Sequence, residues 1–317
     1  MHVVVTGAAG RLGQVLVPLL LDEPAIGHIT AIDRRPVALE HPKLTALVAD
    51  VRELPAATFA GADVLIHMAF VLMGGGLGRA RHDRETVRAI NVEGSRRALE
   101  PALDAGLSRL IFLSSAAVYG AWPDNPPRIP EHWLRRPLPS FAYAEDKVAV
   151  EDWLDALEPR VPDARILRLR PQAIVGPHAH PLLNRLLRQP FVPAGRAAPL
   201  QCVWESDVAE AVRLALFADA RGAFNLAADP PMSLRDMLAR RGVPRLPLPL
   251  PLIERLHRLA WRATPRVGEP GWVAGLRHGA VVDCTRAKTL LGWRPRLDTP
   301  ACLKALVPGR GTTSGMA

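Results

Sequence analysis

The sequence predicts an α/β protein built on a doubly wound parallel sheet, followed by a smaller C-terminal α+β lobe. Strand and helix signals alternate through the first half, a glycine-rich turn follows the first strand, and prolines become dense after Pro171. With 317 residues, of which 49% are hydrophobic and 22% charged, the chain can bury a core of this size.

The elements of the first half follow from short apolar, β-branched runs that alternate with helical segments. The predicted strands are 3–6, 29–33, 44–50, 63–70, 109–114 and 164–169. The predicted helices are 12–21, 86–105 and 141–157. A glycine-rich loop is expected at 74–78 and a proline-rich loop at 122–139.

The elements after Pro171 are shorter. The predicted strands are 201–204, 223–226 and 281–284, and the predicted helices are 182–188, 207–217, 233–240 and 252–263. Leucine and proline alternate over 246–251, which predicts an extended connector rather than a helix. A disordered tail is expected at 308–317.

The charge balance is strongly basic, with a net charge of +9 and a pI near 10.4. The arginines are scattered and aromatic residues make up only 5%, so no nucleic-acid partner is expected. The basic amphipathic segment 252–262 could touch a membrane surface, but packing on its own domain is the favoured interpretation. A basic surface also attracts anionic cofactors or substrates.

The cysteines and the apolar runs indicate a cytoplasmic protein. Cys202, Cys284 and Cys302 lie far apart and form no CxxC pair, which argues against a disulfide or zinc framework. No apolar run reaches the ~18 residues that span a bilayer. We therefore expect no signal peptide, no membrane partner and no metal site.

A phosphate-binding turn is predicted at Thr6-Gly7-Ala8-Ala9-Gly10-Arg11-Leu12-Gly13, between the first strand and the first helix. Glycines at these points permit a tight turn and close approach of backbone N–H groups to a pyrophosphate, and the helix N-terminus adds partial positive charge. The spacing is G-x-x-G-x-x-G. The turn predicts a Rossmann-type dinucleotide-binding domain at 1–170, to which 200–230 returns, and a substrate lobe at 171–199 and 231–307.

The acidic residues that end the second and third strands bear on the choice of cofactor. Asp33 can accept from both ribose hydroxyls of an adenosine, which favours NAD. Arg34 and Arg35 follow directly and could instead pair with the 2′-phosphate of NADP. Asp50 either approaches the adenine or serves as a turn residue.

Tyr143 and Lys147 lie four residues apart on a predicted helix and so share one face. At about 4 Å and an effective dielectric near 20, an ammonium favours phenolate by about 4 kcal/mol, or roughly 3 pKa units. Such a tyrosine could exchange a proton with an alcohol or a carbonyl. An exposed tyrosine that covers a lysine stem has the same spacing, so both interpretations stay open on spacing alone.

Motifs along nearly the whole chain resemble the extended short-chain dehydrogenases/reductases, specifically the NAD-dependent epimerase/dehydratase family and its UDP-glucose 4-epimerase-like subgroup. In chain order they are Thr6–Gly13, Asp33, Asp50-Val51, His67-Met68-Ala69, 91–95, 114–120, Tyr143 with Lys147, 169–171, 175–177, 207–209, 224–226 and 283–293. The resemblance implies an enzyme that works as a homodimer. It pairs through the long helices after the fourth and fifth strands, where Val148, Trp153, Leu154 and Leu157 either form a seam or face the sheet.

The resemblance also implies roles for individual residues. Tyr143 is the acid/base, Lys147 lowers its pKa and holds the nicotinamide ribose, Ser115 binds the reacting oxygen, and Asn91 holds a water or a backbone group. The implied cofactor site comprises Gly7, Ala9, Gly10, Arg11, Leu12, Gly13, Asp33, Arg34, Asp50, Val51, Met68, Ala69, Phe70, Lys147 and Pro171. Ser114 and Tyr119 are expected to be structural or near the cofactor.

Several positions depart from the family pattern. Phe70 replaces a small residue after the fourth strand, Leu200 and Trp204 stand where an arginine and a histidine are common, and Gln172 replaces an asparagine. Loss of a diphosphate-binding arginine weakens the assignment to a nucleotide sugar. The arginines Arg185, Arg188, Arg196 and Arg277 could substitute, whereas Trp122, Trp133 and Trp204 would suit a flatter, apolar substrate or simply pack.

Three functions follow from these observations. The first is an NAD-dependent oxidoreductase or epimerase acting on a secondary alcohol or ketone, such as a sugar or nucleotide sugar. The second is an NADP-linked reductase of an apolar ketone or aldehyde, and the third is a cofactor-binding sensor without turnover. The set of Ser115, Tyr143 and Lys147 favours an enzyme.

Overall fold

A parallel sheet forms the centre of the structure, a computed structural model that describes residues 1–73, 83–179, 191–195, 198–239, 246–264 and 267–306. Its strands are β1 (His2–Thr6), β2 (His28–Asp33), β3 (Leu44–Val48), β4 (Val64–His67), β5 (Arg109–Leu113), β6 (Arg165–Pro171) and β11 (Gly222–Leu226). Their order is β11-β6-β5-β4-β1-β2-β3, and every pairing is parallel. The carboxyl ends of all these strands therefore meet at one edge of the sheet.

The helices in the described part of the chain are α1 (Gly13–Leu21), α2 (Arg84–Arg88), α3 (Gly94–Asp104), α4 (Ala142–Leu157), α5 (Glu205–Ala215), α6 (Leu234–Ala239), α7 (Leu250–Ala263), α8 (Pro270–Ala274), α9 (Thr285–Leu290) and α10 (Thr299–Ala305). The single helix predicted at 86–105 is instead α2, a π-helical turn at Ala89–Glu93, and α3. A π turn inserts an extra residue into the helix and is frequent at functional sites.

Two apolar cores cover opposite faces of the sheet. On one face, α1 and α5 bury Leu16 and Val212 against the strands. On the other face, α3 and α4 bury Leu99 and Leu154. Helices on both faces of a parallel sheet define the doubly wound architecture, so the predicted fold class is confirmed.

The C-terminal part forms a smaller lobe of short strands and helices. The strands β7 (Ala173–Val175), β8 (Phe191–Pro193), β9 (Pro199–Leu200), β10 (Cys202–Trp204), β12 (Met232–Ser233) and β13 (Leu246–Leu248) make three two-stranded pairs. An apolar cluster that includes Met237, Ile253, Val273 and Leu276 holds α6, α7 and α8 together.

Two further predicted elements differ in the structure. Segment 281–284 was predicted as a strand but forms an isolated bridge, in which Val282 pairs with Ile129. The segment predicted as an extended connector pairs as β13 with β8 and then enters α7 at Leu250. The helix predicted at 182–188, the loop at 74–78 and the tail at 308–317 lie outside the described residues.

The proposed dimer seam on α4 is largely taken up by the core. Leu154 is fully buried and Leu157 is 5% exposed, both in the apolar cluster under the sheet. Val148 and Trp153 are half-buried and pack against the cores. Among the described residues, no helix combines the length and apolarity needed to cross a membrane.

Candidate active site

A cavity of about 1630 Å³ runs along the carboxyl edge of the sheet, between the sheet and the C-terminal lobe. Single ligand pockets occupy roughly 300–1,000 Å³, so the cavity has room for a dinucleotide and a substrate together. Its lining includes the glycine-rich turn, Asp33 and Tyr143 at one side and Ile253 and Leu256 of α7 at the other.

The glycine-rich turn is held by close backbone contacts. Gly7 has a left-handed φ of 75°, and a Cβ there would lie 2.7 Å from the amide nitrogen of Ala69. A Cβ on Gly13 would lie 2.1 Å from the carbonyl oxygen of Ala8. Leu12, which precedes α1, makes no side-chain cap, and the N–H groups of Gln14 and Val15 donate to the carbonyls of Gly10 and Leu12. Gly13 and Gln14 line the cavity, so the partial positive charge of the α1 N-terminus lies at its wall and suits an anion.

Asp33 is built into this turn. Its carboxylate accepts from the N–H of Ala9 at 3.1 Å and from the N–H of Arg35 at 3.0 Å. The Arg35 guanidinium donates back to the carbonyl of Ala9 at 2.6 Å. Asp33 therefore ties the end of β2 to the phosphate turn while it lines the cavity.

Arg34, which follows Asp33, lies near a different acidic residue, Asp50. Its guanidinium lies 3.5 Å from the carboxylate of Asp50. Arg52 donates to the same carboxylate at 2.8 Å and holds the pKa of Asp50 below its usual value. Asp50 is a turn residue that accepts from the N–H of Arg52 as the cap of a short 3-10 turn, and it also lines the cavity, so its approach to the adenine stays a prediction.

Tyr143, on the first turn of α4, is enclosed by aromatic rings. The centroid of the Tyr143 ring lies 5.7 Å from that of Phe70, 5.9 Å from that of Phe141 and 6.0 Å from that of Trp272. The planes of the Tyr143 and Trp272 rings differ by 26°. Burial raises the pKa of Tyr143 to about 12, the Ser115 hydroxyl lowers it, and the charge of Glu269 raises it. The phenol is therefore protonated at neutral pH.

Lys147 is buried one turn further along α4. Its ammonium donates to the carbonyl of Leu113 at 2.5 Å and lies 3.5 Å from the ring centroid of Phe70. Burial lowers the pKa of Lys147 to about 7, although Glu151 raises it. The ammonium is 5.8 Å from the Tyr143 ring centroid, so the shared face predicted from spacing is present. The expected lowering of the Tyr143 pKa by Lys147 is not seen, because burial, Ser115 and Glu269 set that pKa.

The two serines after β5 have different partners. Ser115 is 8% exposed, lines the cavity, and accepts from the N–H of Ala117 at 3.2 Å. Ser114 instead donates to Glu151 at 2.5 Å, which itself pairs with Arg170. Ser115 thus has a hydroxyl beside Tyr143, whereas Ser114 belongs to a buried ionic cluster.

Asn91 is fully buried in the π turn and holds backbone. Its amide accepts from the N–H of Val71 at 2.8 Å and donates to the carbonyl of Val71 at 3.0 Å. It also donates to Asp146 of α4 at 3.0 Å, and Arg84 donates to the same carboxylate at 2.7 Å. Asn91 therefore fixes the segment after β4 against the helix that carries Tyr143.

Most of the predicted cofactor residues come together at the cavity wall. These are Gly7, Gly10, Arg11, Leu12, Gly13, Asp33, Arg34, Asp50, Val51, Met68, Ala69, Phe70, Lys147 and Pro171. Ala9 and Asn91 lie behind this wall, where they hold Asp33 and Val71. In the part of the chain that the structure describes, no group of three or more His, Cys, Asp or Glu side chains could hold a metal.

The positions that depart from the family pattern have structural explanations. Leu200 and Gln172 line the cavity, and Gln172 donates to the carbonyl of Ala280 at 2.5 Å. Trp204, the last residue of β10, packs against a small apolar cluster that includes Cys202. Arg277 pairs with Glu254 at 2.7 Å. Arg185, Arg188 and Arg196 fall outside the described residues.

The remaining aromatic candidates are structural. Trp122 donates to the carbonyl of Arg136 at 2.6 Å, and Trp133 donates to Asn125 at 3.2 Å within the same loop. The Tyr119 hydroxyl is buried between Asn225 and Arg170, which keeps it away from the cavity.

Sequence reasoning missed the contribution of 268–272, the segment that leads into the first residues of α8. Trp272 lies against Tyr143, and Gly271 touches Phe141 so closely that a Cβ would lie 2.4 Å from the Phe141 Cγ. Glu269 is 4% exposed beside the start of α4. The Gly-Glu-Pro-Gly-Trp run at 268–272 is the one local signal, since it combines turn residues with an aromatic anchor.

Comparisons with known proteins agree with this architecture. A model of the NAD dependent epimerase/dehydratase family matches residues 3–227. An uncharacterized protein of Mycobacterium bovis is 29% identical over 331 residues, covering 98% of this chain and 84% of that protein. A 3-beta-hydroxysteroid dehydrogenase of Mycolicibacterium neoaurum is 36% identical over 123 residues, which cover 37% of this chain and 32% of that enzyme.

A solved structure shares the whole fold. The UDP-glucose 4-epimerase of Thermus thermophilus, in complex with NAD, matches with a TM-score of 0.68 and 22% identity, over 99% of this chain and 100% of that one. The family match covers more than half of the chain, with the glycine-rich turn, Asp33, Ser115, Tyr143 and Lys147 inside it. The chain therefore belongs to the NAD dependent epimerase/dehydratase family and is an enzyme of the short-chain dehydrogenase/reductase type.

Proposed function

We propose that this protein is an NAD-dependent oxidoreductase or epimerase that acts on a secondary alcohol or the corresponding ketone, with Tyr143 as its acid/base. The observation that carries the proposal is the half-buried tyrosine beside the Ser115 hydroxyl, at the wall of a cavity that also includes the phosphate turn. Bound NAD would supply the acceptor for the hydride of the carbinol carbon.

The side chains around the reacting carbon have separate tasks. Tyr143 takes the hydroxyl proton as the C–H hydride leaves, or returns a proton to the carbonyl oxygen in reduction. Ser115 donates to the reacting oxygen and so holds it near the phenol. Lys147 adds a nearby positive charge in its protonated form and would hold the nicotinamide ribose when NAD is bound. Asn91 fixes Val71 and α4 relative to each other.

We propose NAD rather than NADP as the cofactor. Asp33 faces the cavity where an adenosine ribose would bind, and a carboxylate there repels a 2′-phosphate. Arg34 lies near Asp50, which draws its charge away from a 2′-phosphate. We expect Asp33→Asn to weaken NAD binding by about ten-fold, because one charge-assisted hydrogen bond is lost. We also expect the ratio of the affinities for NAD and NADP to become smaller. Fluorescence titration with both nucleotides measures this, with Asp22→Asn as an exposed control.

The purified protein separates epimerase, dehydrogenase and sensor. We would identify the nucleotide that co-purifies and then assay NADH formation with secondary alcohols, polyols and nucleotide sugars. Tightly held NAD with substrate isomerisation and no net NADH would support an epimerase, whereas released NADH would support a dehydrogenase. Nucleotide binding without turnover of any substrate would support the sensor, and a preference for NADPH would overturn the assignment of NAD.

A second candidate substrate class is an alcohol or ketone with an apolar body. The aromatic side chains Phe70, Phe141 and Trp272 surround Tyr143, and Leu256 and Leu276 extend the apolar wall. The 36% identity to a 3-beta-hydroxysteroid dehydrogenase supports the same class, because that enzyme's name denotes a secondary alcohol on an apolar ring system. Turnover of apolar alcohols but not of nucleotide sugars would decide for this candidate.

We also propose a division into a nucleotide-binding domain and a substrate lobe, and a homodimer in the cytoplasm. The return of β11 to the main sheet supports the division. The dimer rests on the resemblance to the family, and Val148 and Trp153 are the seam residues of α4 that the core leaves partly exposed. The three cysteines are buried as free thiols, and the thiols of Cys202 and Cys302 lie in contact with each other. Light scattering during size-exclusion chromatography measures the mass, and a monomer at micromolar concentration would contradict the dimer.

A further inference from the structure

The helix α7 exposes a row of leucines to solvent. Leu252, Leu256 and Leu259 are 41%, 47% and 52% exposed, and Leu246 in the preceding strand β13 is 63% exposed. At positions i, i+4 and i+7, the three helical leucines lie on one face of α7 and form its leucine row. Within α7 only Ile253 is buried, so the packing of the helix on its lobe leaves this row uncovered. Single exposed leucines are ordinary, whereas a contiguous row marks a contact surface.

Three arginines border the leucine row. Arg255, Arg258 and Arg262 are exposed, and helical geometry places them beside the row, on the side away from the buried face of α7. Glu254, the single acidic residue of the helix, pairs with Arg277 instead. Within the part of the chain that the structure describes, none of the three arginines has an ion-pair partner. Their charges are therefore available to an anionic surface.

The face of α7 on the other side of the row lines the cavity. Ile253, His257 and Ala260 belong to the cavity wall, and so does Leu256, which is also a member of the leucine row. The apolar surface therefore continues from the outside of α7 into the cavity that Tyr143 lines.

The combination of leucines and arginines favours a lipid bilayer over other occupants. A second copy of the chain, docked through the same row, would gather the arginines of both copies around one apolar patch, and like charges oppose such a contact. An anionic bilayer suits both features, because an interfacial helix buries its apolar face by about 5–10 Å and keeps its basic side chains at the headgroups. An acidic protein would suit the arginines, but the continuation of the row into the cavity favours the bilayer, which dissolves apolar molecules.

We propose that α7 lies on the surface of an anionic lipid bilayer, with its leucine row in the acyl boundary and its three arginines at the lipid phosphates. This contact goes beyond the proposed function and does not depend on it. The sequence alone favours packing of 252–262 on its own domain and predicts no membrane partner. The exposed leucine row is the observation that changes this interpretation. A helix that lies on a bilayer needs no membrane-spanning segment.

One consequence concerns the substrate and rests on the proposed function. An apolar alcohol or ketone that is dissolved in the bilayer would enter the cavity along Leu256, which belongs to both surfaces. The contact therefore favours the second candidate substrate class.

Co-sedimentation of the whole 317-residue chain with vesicles tests the contact. We expect the protein to sediment with phosphatidylcholine vesicles that contain about 30% phosphatidylserine, and to stay in the supernatant with phosphatidylcholine alone. Binding should weaken at high salt, because salt screens the attraction between the arginines and the lipid charges.

Two double variants separate the charge from the apolar contact. Arg255→Gln with Arg258→Gln should weaken binding to the anionic vesicles by roughly 20-fold, since each arginine near such a surface contributes about five-fold. Leu252→Ser with Leu259→Ser should weaken binding by at least about ten-fold, because apolar area is lost from the contact. These four side chains lie outside the cavity wall, so turnover of a water-soluble alcohol should keep its wild-type value.

Matched controls carry the same substitutions at exposed positions elsewhere. Leu134→Ser with Leu290→Ser replaces leucines that are 68% and 48% exposed, and Arg160→Gln with Arg294→Gln replaces two exposed arginines. Both controls should bind vesicles as the wild type does. The urea midpoints of all four double variants should match the wild type, because exposed side chains contribute little to stability.

Three results would overturn the contact. A wild-type protein that stays in the supernatant with anionic vesicles would exclude the bilayer and point to an acidic protein surface. Wild-type binding by both α7 double variants would assign the binding to another surface. A smaller mass of Leu252→Ser with Leu259→Ser in light scattering, without vesicle binding by the wild type, would make the row an interface between copies.

Vesicle binding needs no turnover, so its failure differs from failure of the proposed function. If Tyr143→Phe kept full activity, the acid/base assignment would fall and the vesicle result would stand. For substrate entry, we expect the arginine double variant to lose turnover of an apolar alcohol carried in anionic vesicles but not of a soluble alcohol. Equal retention of both activities would overturn entry from the bilayer.

Discussion

The pKa values of Tyr143 and Lys147 depend on burial more than on the nearest charges. Lys147 and Tyr143 share a face of α4, yet burial moves the pKa of the lysine down to about 7 and that of the tyrosine up to about 12. Both shifts favour neutral side chains. Aromatic neighbours, notably Phe70, exclude water from both groups, so small changes of position or charge have large effects there.

Lys147→Met tests this picture through stability. The unfolded lysine titrates near pH 10.4, so between pH 7 and 10.4 the unfolded chain binds more protons than the folded one. The free energy of unfolding of the wild type therefore rises with pH in this window, and below pH 7 it carries the full cost of the buried ammonium. Relative to Lys147→Met, the wild type should gain about 2 kcal/mol between pH 7 and 9 in urea denaturation.

Catalysis should respond in the opposite sense. We expect Lys147→Met to lower kcat by on the order of 100-fold, because a positioned positive charge is lost, without loss of the fold. The exposed Lys304→Met serves as the control for both measurements. An equal pH dependence of stability in the wild type and Lys147→Met would show that the ammonium is solvated.

At the scale of the element, backbone packing decides where the cofactor can approach. The turn before α1 touches the segment after β4, since a side chain at Gly7 would meet Ala69. Asp33 at the end of β2 holds the N–H of Ala9 in the same turn. The turn is thus fixed by two neighbouring strands of the sheet as well as by its own glycines.

Gly13→Ala should distort this turn. The added methyl group would lie 2.1 Å from the carbonyl oxygen of Ala8, a contact that requires the backbone to shift. We expect NAD affinity to fall by at least ten-fold, measured by calorimetric titration. Gly27→Ala is the control, because the added methyl group would lie 3.9 Å from its nearest neighbour, the carbonyl oxygen of Met1. Unchanged affinity in Gly13→Ala would exclude the turn from the cofactor site.

The parts of the site differ in how far they could be predicted from the sequence. The glycine turn, Asp33 and the pair of Tyr143 and Lys147 are local patterns, in which residue type and spacing already define the geometry. Glu269 and Trp272 lie far along the chain from Tyr143, and tertiary packing alone brings them to α4. Their contribution, and the burial that sets the pKa of Tyr143, depend on contacts that no local pattern contains.

At the scale of the whole molecule, a buried ionic cluster joins the sheet to the helix that carries the acid/base. Arg170 of β6 pairs with Glu151 of α4, and both side chains are almost fully buried. Ser114 after β5 donates to the same carboxylate, and Arg135 of the preceding loop pairs with it at 3.1 Å. The cluster fixes α4 relative to the carboxyl edge of the sheet.

Glu151→Gln should destabilise the fold, because it leaves the Arg170 charge buried without its partner. Breaking such a pair costs about 3–5 kcal/mol, which urea denaturation would register as a lower midpoint. The pair of Asp219 and Arg165 is exposed, so Asp219→Asn should leave the midpoint unchanged. A midpoint for Glu151→Gln equal to the wild type would mean that α4 is held by apolar packing alone.

Turnover by Tyr143→Phe measures whether Tyr143 transfers the proton in an NAD-dependent reaction at a carbinol carbon. On the best alcohol from the substrate panel, we expect kcat to fall by about 100-fold or more, with NAD binding retained. The matched Tyr119→Phe removes a buried hydroxyl from Asn225 and Arg170, which should lower stability but not abolish turnover. Wild-type kcat in folded, NAD-bound Tyr143→Phe would contradict the account.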